Sequence, residues 1–117
     1  MNSLFSVHWF LGGAIWYFIN GVLHDIFVIR QHQGKYNREL LRLLMDGHVL
    51  ILSGLLMLAS WFMLRQNLVW GARIGMIVSL FMLIYCAMIF PFLKSFATLL
   101  ISLILFLVAL FFLAKAN

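Results

Sequence analysis

The sequence predicts an all-α integral membrane protein, an up-down-up-down four-helix bundle. Three observations lead there. Of the 117 residues, 66% are hydrophobic and only 9% charged, against roughly half and a quarter in soluble domains, so lipid rather than water is the main solvent. The apolar residues fall into four runs, each close to the roughly 20 residues that a spanning helix needs. The connections between runs are short, which forces successive helices to lie antiparallel. Four spans take up about 80 residues by the same length rule. The chain is therefore expected to form one transmembrane domain over 1–117, with spans near 3–30, 38–64, 68–90 and 94–115.

Helix one carries no charge from Ser3 to Leu23 and can continue past His24 and Asp25 to about Arg30. Neither Lys nor Arg precedes its apolar stretch and no small-residue cleavage pattern follows, so it reads as a retained helix rather than a signal peptide. Gln31, His32, Gln33 and Gly34 break the helix. Asn37 then caps a second one whose apolar pattern starts at Leu40 and Leu41 and ends at Leu64. Arg65, Gln66 and Asn67 make the next turn. The third run, Leu68 to Phe90, is interrupted only by Arg73, and its Gly71, Gly75 and Ser79, four residues apart, predict a close helix contact. Pro91 and Lys94 mark the last connection. Helix four is nearly all Leu, Ile, Phe and Val beyond Ser102, and is expected to face lipid or a partner subunit.

The net charge of +5 is explained by loops beside anionic headgroups. No basic run with interleaved aromatics suggests a nucleic-acid partner. Arg30, Lys35, Arg38, Arg42 and Lys94 fall at one end of the bundle and Arg65, Arg73 and Lys115 at the other. The positive-inside rule then places both termini outside the cytoplasm. The single cysteine, Cys86, excludes an intrachain disulfide and a cysteine-based zinc site.

At about 100° per residue, Ser6, Gly13, Tyr17, Asn20 and His24 line one side of helix one, flanked by Trp9 and Trp16. Arg42, Asp46, Ser53 and Ser60 line one side of helix two. Polar groups facing hydrocarbon are costly, so both stripes are expected to turn inward. That makes Trp16, Tyr17, Asn20, His24, Asp46 and Ser53 the candidate ligand-binding residues. If the hairpin folds about Gly34, residues whose numbers sum to about 68 lie level, at an equal rise of about 1.5 Å per residue. Asp25 then meets Arg42, an expected structural ion pair, His24 comes within a turn of Asp46, and Gly21 lies opposite Gly47. His48 stands about 200° round from Asp46, so it is expected to face a third helix, a partner or lipid.

The favoured function is a small binding or accessory subunit whose helix-one and helix-two stripes line an intramembrane pocket or a subunit interface. Aromatic walls with a few polar handles suit an amphipathic ligand such as a quinone or lipid. Haem would need two histidines on different helices at matching depth, and helices three and four have none. A divalent metal on His24 and Asp46 would need a third ligand from another subunit. The second class is a transporter or channel with His24 and Asp46 as a protonation relay. The third is an enzyme acting on a lipid-soluble substrate, with His24 and Asp25 or Asp46 as acid and base, although no nucleophile motif or phosphate loop supports it. The length and four-span plan resemble small dimeric multidrug exporters, but the membrane-embedded glutamate of those proteins has no counterpart at Gly12, Gly13 and Ala14. In the bilayer the chain is expected to be a homo-oligomer or a subunit of a larger membrane complex.

Overall fold

A computed structural model of the chain describes residues 2–33, 35–91 and 96–116, with side chains for 7–33, 35–91 and 96–115. The expected hairpin pivot Gly34, the basic Lys94 and the side chain of Ser6 lie outside these described residues. Four helices follow in order: α1 (Asn2–Gln31), α2 (Arg38–Arg65), α3 (Val69–Ile89) and α4 (Phe96–Ala116). All four are long and apolar enough to cross a membrane, over Val7–Gln31, Arg38–Arg65, Val69–Ile89 and Phe96–Lys115. Each packs against its neighbour in sequence, and α1 also packs against α4, which closes the bundle.

The helix ends follow from local chemistry. Asn37 is extended and its side-chain oxygen accepts from the Leu40 N–H at 2.9 Å, the N-cap that begins α2. After Arg65, the N–H groups of Gln66 and Asn67 return to the carbonyls of Met63 and Leu64. Asn67 sits in the left-handed region at φ 60°, which asparagine tolerates better than most residues, and the chain reverses into α3 in three residues.

Glycines set how closely the helices approach. A Cβ on Gly21 would lie 2.6 Å from the carbonyl oxygen of Gly47, and one on Gly54 would lie 2.8 Å from the backbone of both Ala14 and Phe18. Gly47 and Gly54 are seven residues apart, two turns along one face, so α1 rides on a backbone track in α2. Between α2 and α3, the Ser60 hydroxyl donates to the Gly71 carbonyl. A Cβ on Gly71 would lie 2.7 Å from the Ser60 carbonyl oxygen, the close contact that the small-residue spacing predicts.

Helix four is the least buried of the four spans, as expected of a helix facing lipid or a partner, yet it keeps one inner face. Ser102, Leu105 and Ala109 are fully buried, three positions on one helical face, and Leu105 occupies the space that a side chain on Gly13 would need. The Phe112 ring meets Phe10 edge-on at 6.0 Å. Because every residue on α4 beyond Ser102 is apolar until Lys115, the face that packs inward cannot be told from the face that meets lipid by composition; the notch at Gly13 selects it.

Candidate functional site

The ionisable residues of α1 and α2 gather toward the end of the bundle that carries the α1–α2 and α3–α4 connections. Asp25 is at the centre. Its side chain lies over Gly47, where a Cβ would collide with the carboxylate, and its Oδ2 is 3.2 Å from Nδ1 of His48 while its Oδ1 is 3.8 Å from Nδ1 of His24. The Asp25 and His24 side chains are 14% and 26% exposed. Among the described residues neither Asp25 Oδ1 nor His24 Nδ1 has a hydrogen-bond partner, although both atoms are buried. The His48 side chain is 71% exposed, with Nδ1 also 2.8 Å from the Leu44 carbonyl.

That contact fixes the neutral His48 tautomer. A backbone carbonyl only accepts, so Nδ1 carries the proton and Nε2 is the edge open to a partner. Depth makes the exposure costly. At about 1.5 Å per residue, the 28 residues of α2 span about 42 Å against a hydrocarbon core of about 30 Å. Centred, α2 enters hydrocarbon near Arg42 and carries His48 about 9 Å inside it by the same rise.

The expected pair of Asp25 with Arg42 is not formed; among the described residues Asp25 pairs with the two histidines. The reason is the lean of side chains toward the N-terminus of their own helix. On antiparallel helices that sends Asp25 deeper, toward Gly47 and His48, and Arg42 outward, toward the membrane surface. Nor does His24 meet Asp46. Gly47 faces α1, and Asp46, one residue and about 100° away, turns toward α3, where Tyr85 is its electrostatic neighbour.

The remaining candidates are drawn to α4 or to their own backbone. Trp16 Nε1 donates to Thr98 Oγ1 at 3.2 Å. The Tyr17 hydroxyl and Ser102 Oγ, both fully buried, are 2.5 Å apart. Asn20 donates to the Trp16 carbonyl at 2.8 Å, and Ser53 is buried. The aromatic stripe of α1 is thus packed against α4, whereas Asp25 and the glycine track face α2. Sequence reasoning set His48 apart from the cluster by its angle to Asp46; its angle to Gly47 is the signal that joins it to Asp25. Replacing Ser102 by alanine is expected to cost about 1 kcal/mol, the usual size of an interhelical hydrogen bond in a membrane. A double-mutant cycle with Tyr17→Phe, read by unfolding in detergent, checks it.

Arg38, Glu39, Arg42, Leu43 and Asp46 line an open groove of about 440 Å³ on the first turns of α2. Among the described residues no three His, Cys, Asp or Glu side chains converge as a metal site. No protein-family model, curated protein or solved structure matches the chain.

Proposed function

We propose that this small membrane protein is a binding or accessory subunit, and that the His48–Asp25 face of α2 seats a transmembrane helix of a partner. One observation carries the reading: an imidazole tied to a carboxylate is exposed at a depth where the alternative neighbour is lipid. Intramembrane ionisable groups elsewhere in proteins face interiors or interfaces. With Nδ1 engaged, His48 offers Nε2 as an acceptor, so the matching partner group is a donor such as a hydroxyl, amide or indole N–H. The packing supports an interface over an internal pocket, because the Gly21–Gly47 and Gly54–Ala14 contacts leave no space between α1 and α2. Loop charge keeps both termini outside the cytoplasm in this proposal.

Transport is less well supported. A polar path from Asp25 toward the far face would have to pass Phe10, Ala14, Met57, Met82 and Leu105, which are packed together and buried. Ser60 and Ser79 donate to backbone carbonyls. The test is native mass spectrometry of protein taken from its own membrane in mild detergent. The wild type is expected to retain a stoichiometric partner, either a second copy or another chain. His48→Leu is expected to release it, while Leu52→Ala, also exposed on α2, is not. A wild-type protein that emerges alone, or a His48→Leu variant that keeps its partner, overturns the proposal.

A further inference from the structure

We infer that the partner seated at the His48–Asp25 face is a different protein chain, whose transmembrane helix presents a hydrogen-bond donor about 9 Å inside the hydrocarbon. The inference rests on the reading of His48 as an interface residue and adds what that residue requires of its neighbour. His48 Nδ1 lies 2.8 Å from the Leu44 carbonyl and 3.2 Å from Asp25 Oδ2. Both oxygens accept, so the proton of the neutral ring is spent inside the chain and Nε2 is left as an acceptor. The simplest occupant, a second copy, has no donor to offer it.

Loop charge gives copies of one chain the same orientation, so a second copy meets His48 with residues at the depth they hold here. The crossing of Gly21 with Gly47 puts Asn20 level with His48, and the Trp16–Thr98 bond carries that level to α4. The polar groups there are engaged inward. Asn20 donates to the Trp16 carbonyl, Trp16 to Thr98, and Tyr17 pairs with Ser102, while Tyr85 is half-buried on the Asp46 side of α2. Within one turn of this level the exposed side chains other than His48 are apolar among the described residues, as with Leu23, Met45 and Leu100. Trp61 Nε1 is buried without a hydrogen-bond partner among the described residues, but it stands about 20 Å from His48 along α2. A twofold pair would therefore set His48 against itself. Two rings whose Nδ1 protons are both spent meet as two acceptors, and bridging them takes a proton or a metal ion, a further charge in hydrocarbon. A donor on another chain satisfies Nε2 with no added charge. Leu41, Leu52 and Leu55, exposed and within about 40° of His48 round α2, give that chain's helix an apolar strip to pack on.

The experiment reconstitutes the full chain, carrying a fluorescent donor, in phosphatidylcholine vesicles and titrates it with an acceptor-labelled, leucine-rich transmembrane peptide. The peptide has one tryptophan about six residues, or about 9 Å, inside the hydrocarbon edge. A second peptide carries there a tryptophan methylated on its indole nitrogen, which keeps the ring but cannot donate. The unmethylated peptide is expected to bind about fivefold more tightly, the size of one interhelical hydrogen bond in a membrane. His48→Leu is expected to equalise the two peptides, and His48→Gln, whose side-chain oxygen still accepts, to keep the preference. Energy transfer between differently labelled copies of the chain is expected to be the same for the wild type and His48→Leu. Thermal unfolding of each variant in detergent establishes that it is folded. Transfer between copies that His48→Leu removes overturns the assignment to a different chain, whichever way the copies lie, and leaves the interface standing. Equal binding of the two peptides by the wild type, or a preference that persists in His48→Leu, overturns the reading of His48 as an acceptor and the interface with it.

Discussion

Gly47→Val is expected to destabilise the bundle by about 3 kcal/mol, at the upper end of what overpacking a tight contact costs, and to separate α1 from α2. The site has one neighbour that can swing aside, the Asp25 carboxylate, and one that cannot, the Gly21 backbone. A Cβ at Gly47 would strike the Asp25 carboxylate and come within 3.0 Å of the Gly21 carbonyl oxygen, and a Cβ on Gly21 would in turn lie 2.9 Å from the Ile51 backbone nitrogen. Relief therefore displaces the Asp25 side chain first, and the two γ-methyls of a valine then press on the α1 backbone at Gly21. It would also pull Asp25 from His48 and expose two more polar groups to lipid. Gly12→Ala is the control, because among the described residues nothing lies within 4 Å of a Cβ there; it is expected to be neutral or to gain up to roughly 1 kcal/mol from helix propensity. Unfolding in detergent, followed by circular dichroism, reads both. Equal stability of Gly47→Val and Gly12→Ala would mean that the α1–α2 hairpin is not held at this crossing.

How far the sequence reaches is clear from these same residues. Four runs of apolar residues and their polar breaks were enough for the four helices, because span length and loop chemistry are local properties. The meeting of Gly21 with Gly47 was legible as well, since antiparallel helices of equal rise put fixed sums of residue numbers at one level. The failures share a different cause. Asp25 is level with Arg42 along the axis, but side chains lean toward the start of their own helix, and on antiparallel partners the two lean apart. Tyr17 and Trp16 belong to the polar stripe of α1 by angle, yet the stripe is broad enough to serve two neighbours, and only the packing of Leu105 against Gly13 turns the aromatic part to α4. The inner face of α4 left no trace in composition, because both of its faces are apolar.

Joint replacement of His24 and Asp25 by leucine is expected to raise stability while abolishing partner association, and the sign of that change separates a working site from a structural lock. A lock would make the reverse prediction: breaking a buried ion pair that holds two helices together costs about 3 kcal/mol or more when a charge is left behind. Here the cluster's one ion pair across the two helices, among the described residues, is that of Asp25 with His48 at 3.2 Å, made to an exposed imidazole. Asp25 Oδ1 and His24 Nδ1 are buried without hydrogen-bond partners among the described residues, and 3.8 Å between them is too long for a hydrogen bond. Removing both takes the carboxylate and its neighbouring imidazole away together, and His48 Nδ1 keeps its bond to the Leu44 carbonyl. Leucine matches aspartate in branching and puts apolar atoms in place of mostly buried polar ones beside Gly47. The expected gain is about 1 kcal/mol, at the low end for replacing a buried ionic group with an apolar one. Asp25→Asn, which keeps the shape, is expected to fold and to weaken partner retention less than the double variant does. If the double variant instead loses about 3 kcal/mol, the size expected of a broken buried pair, the cluster is a hairpin clamp, and the exposed imidazole of His48 is one end of that clamp rather than a place for a partner to dock.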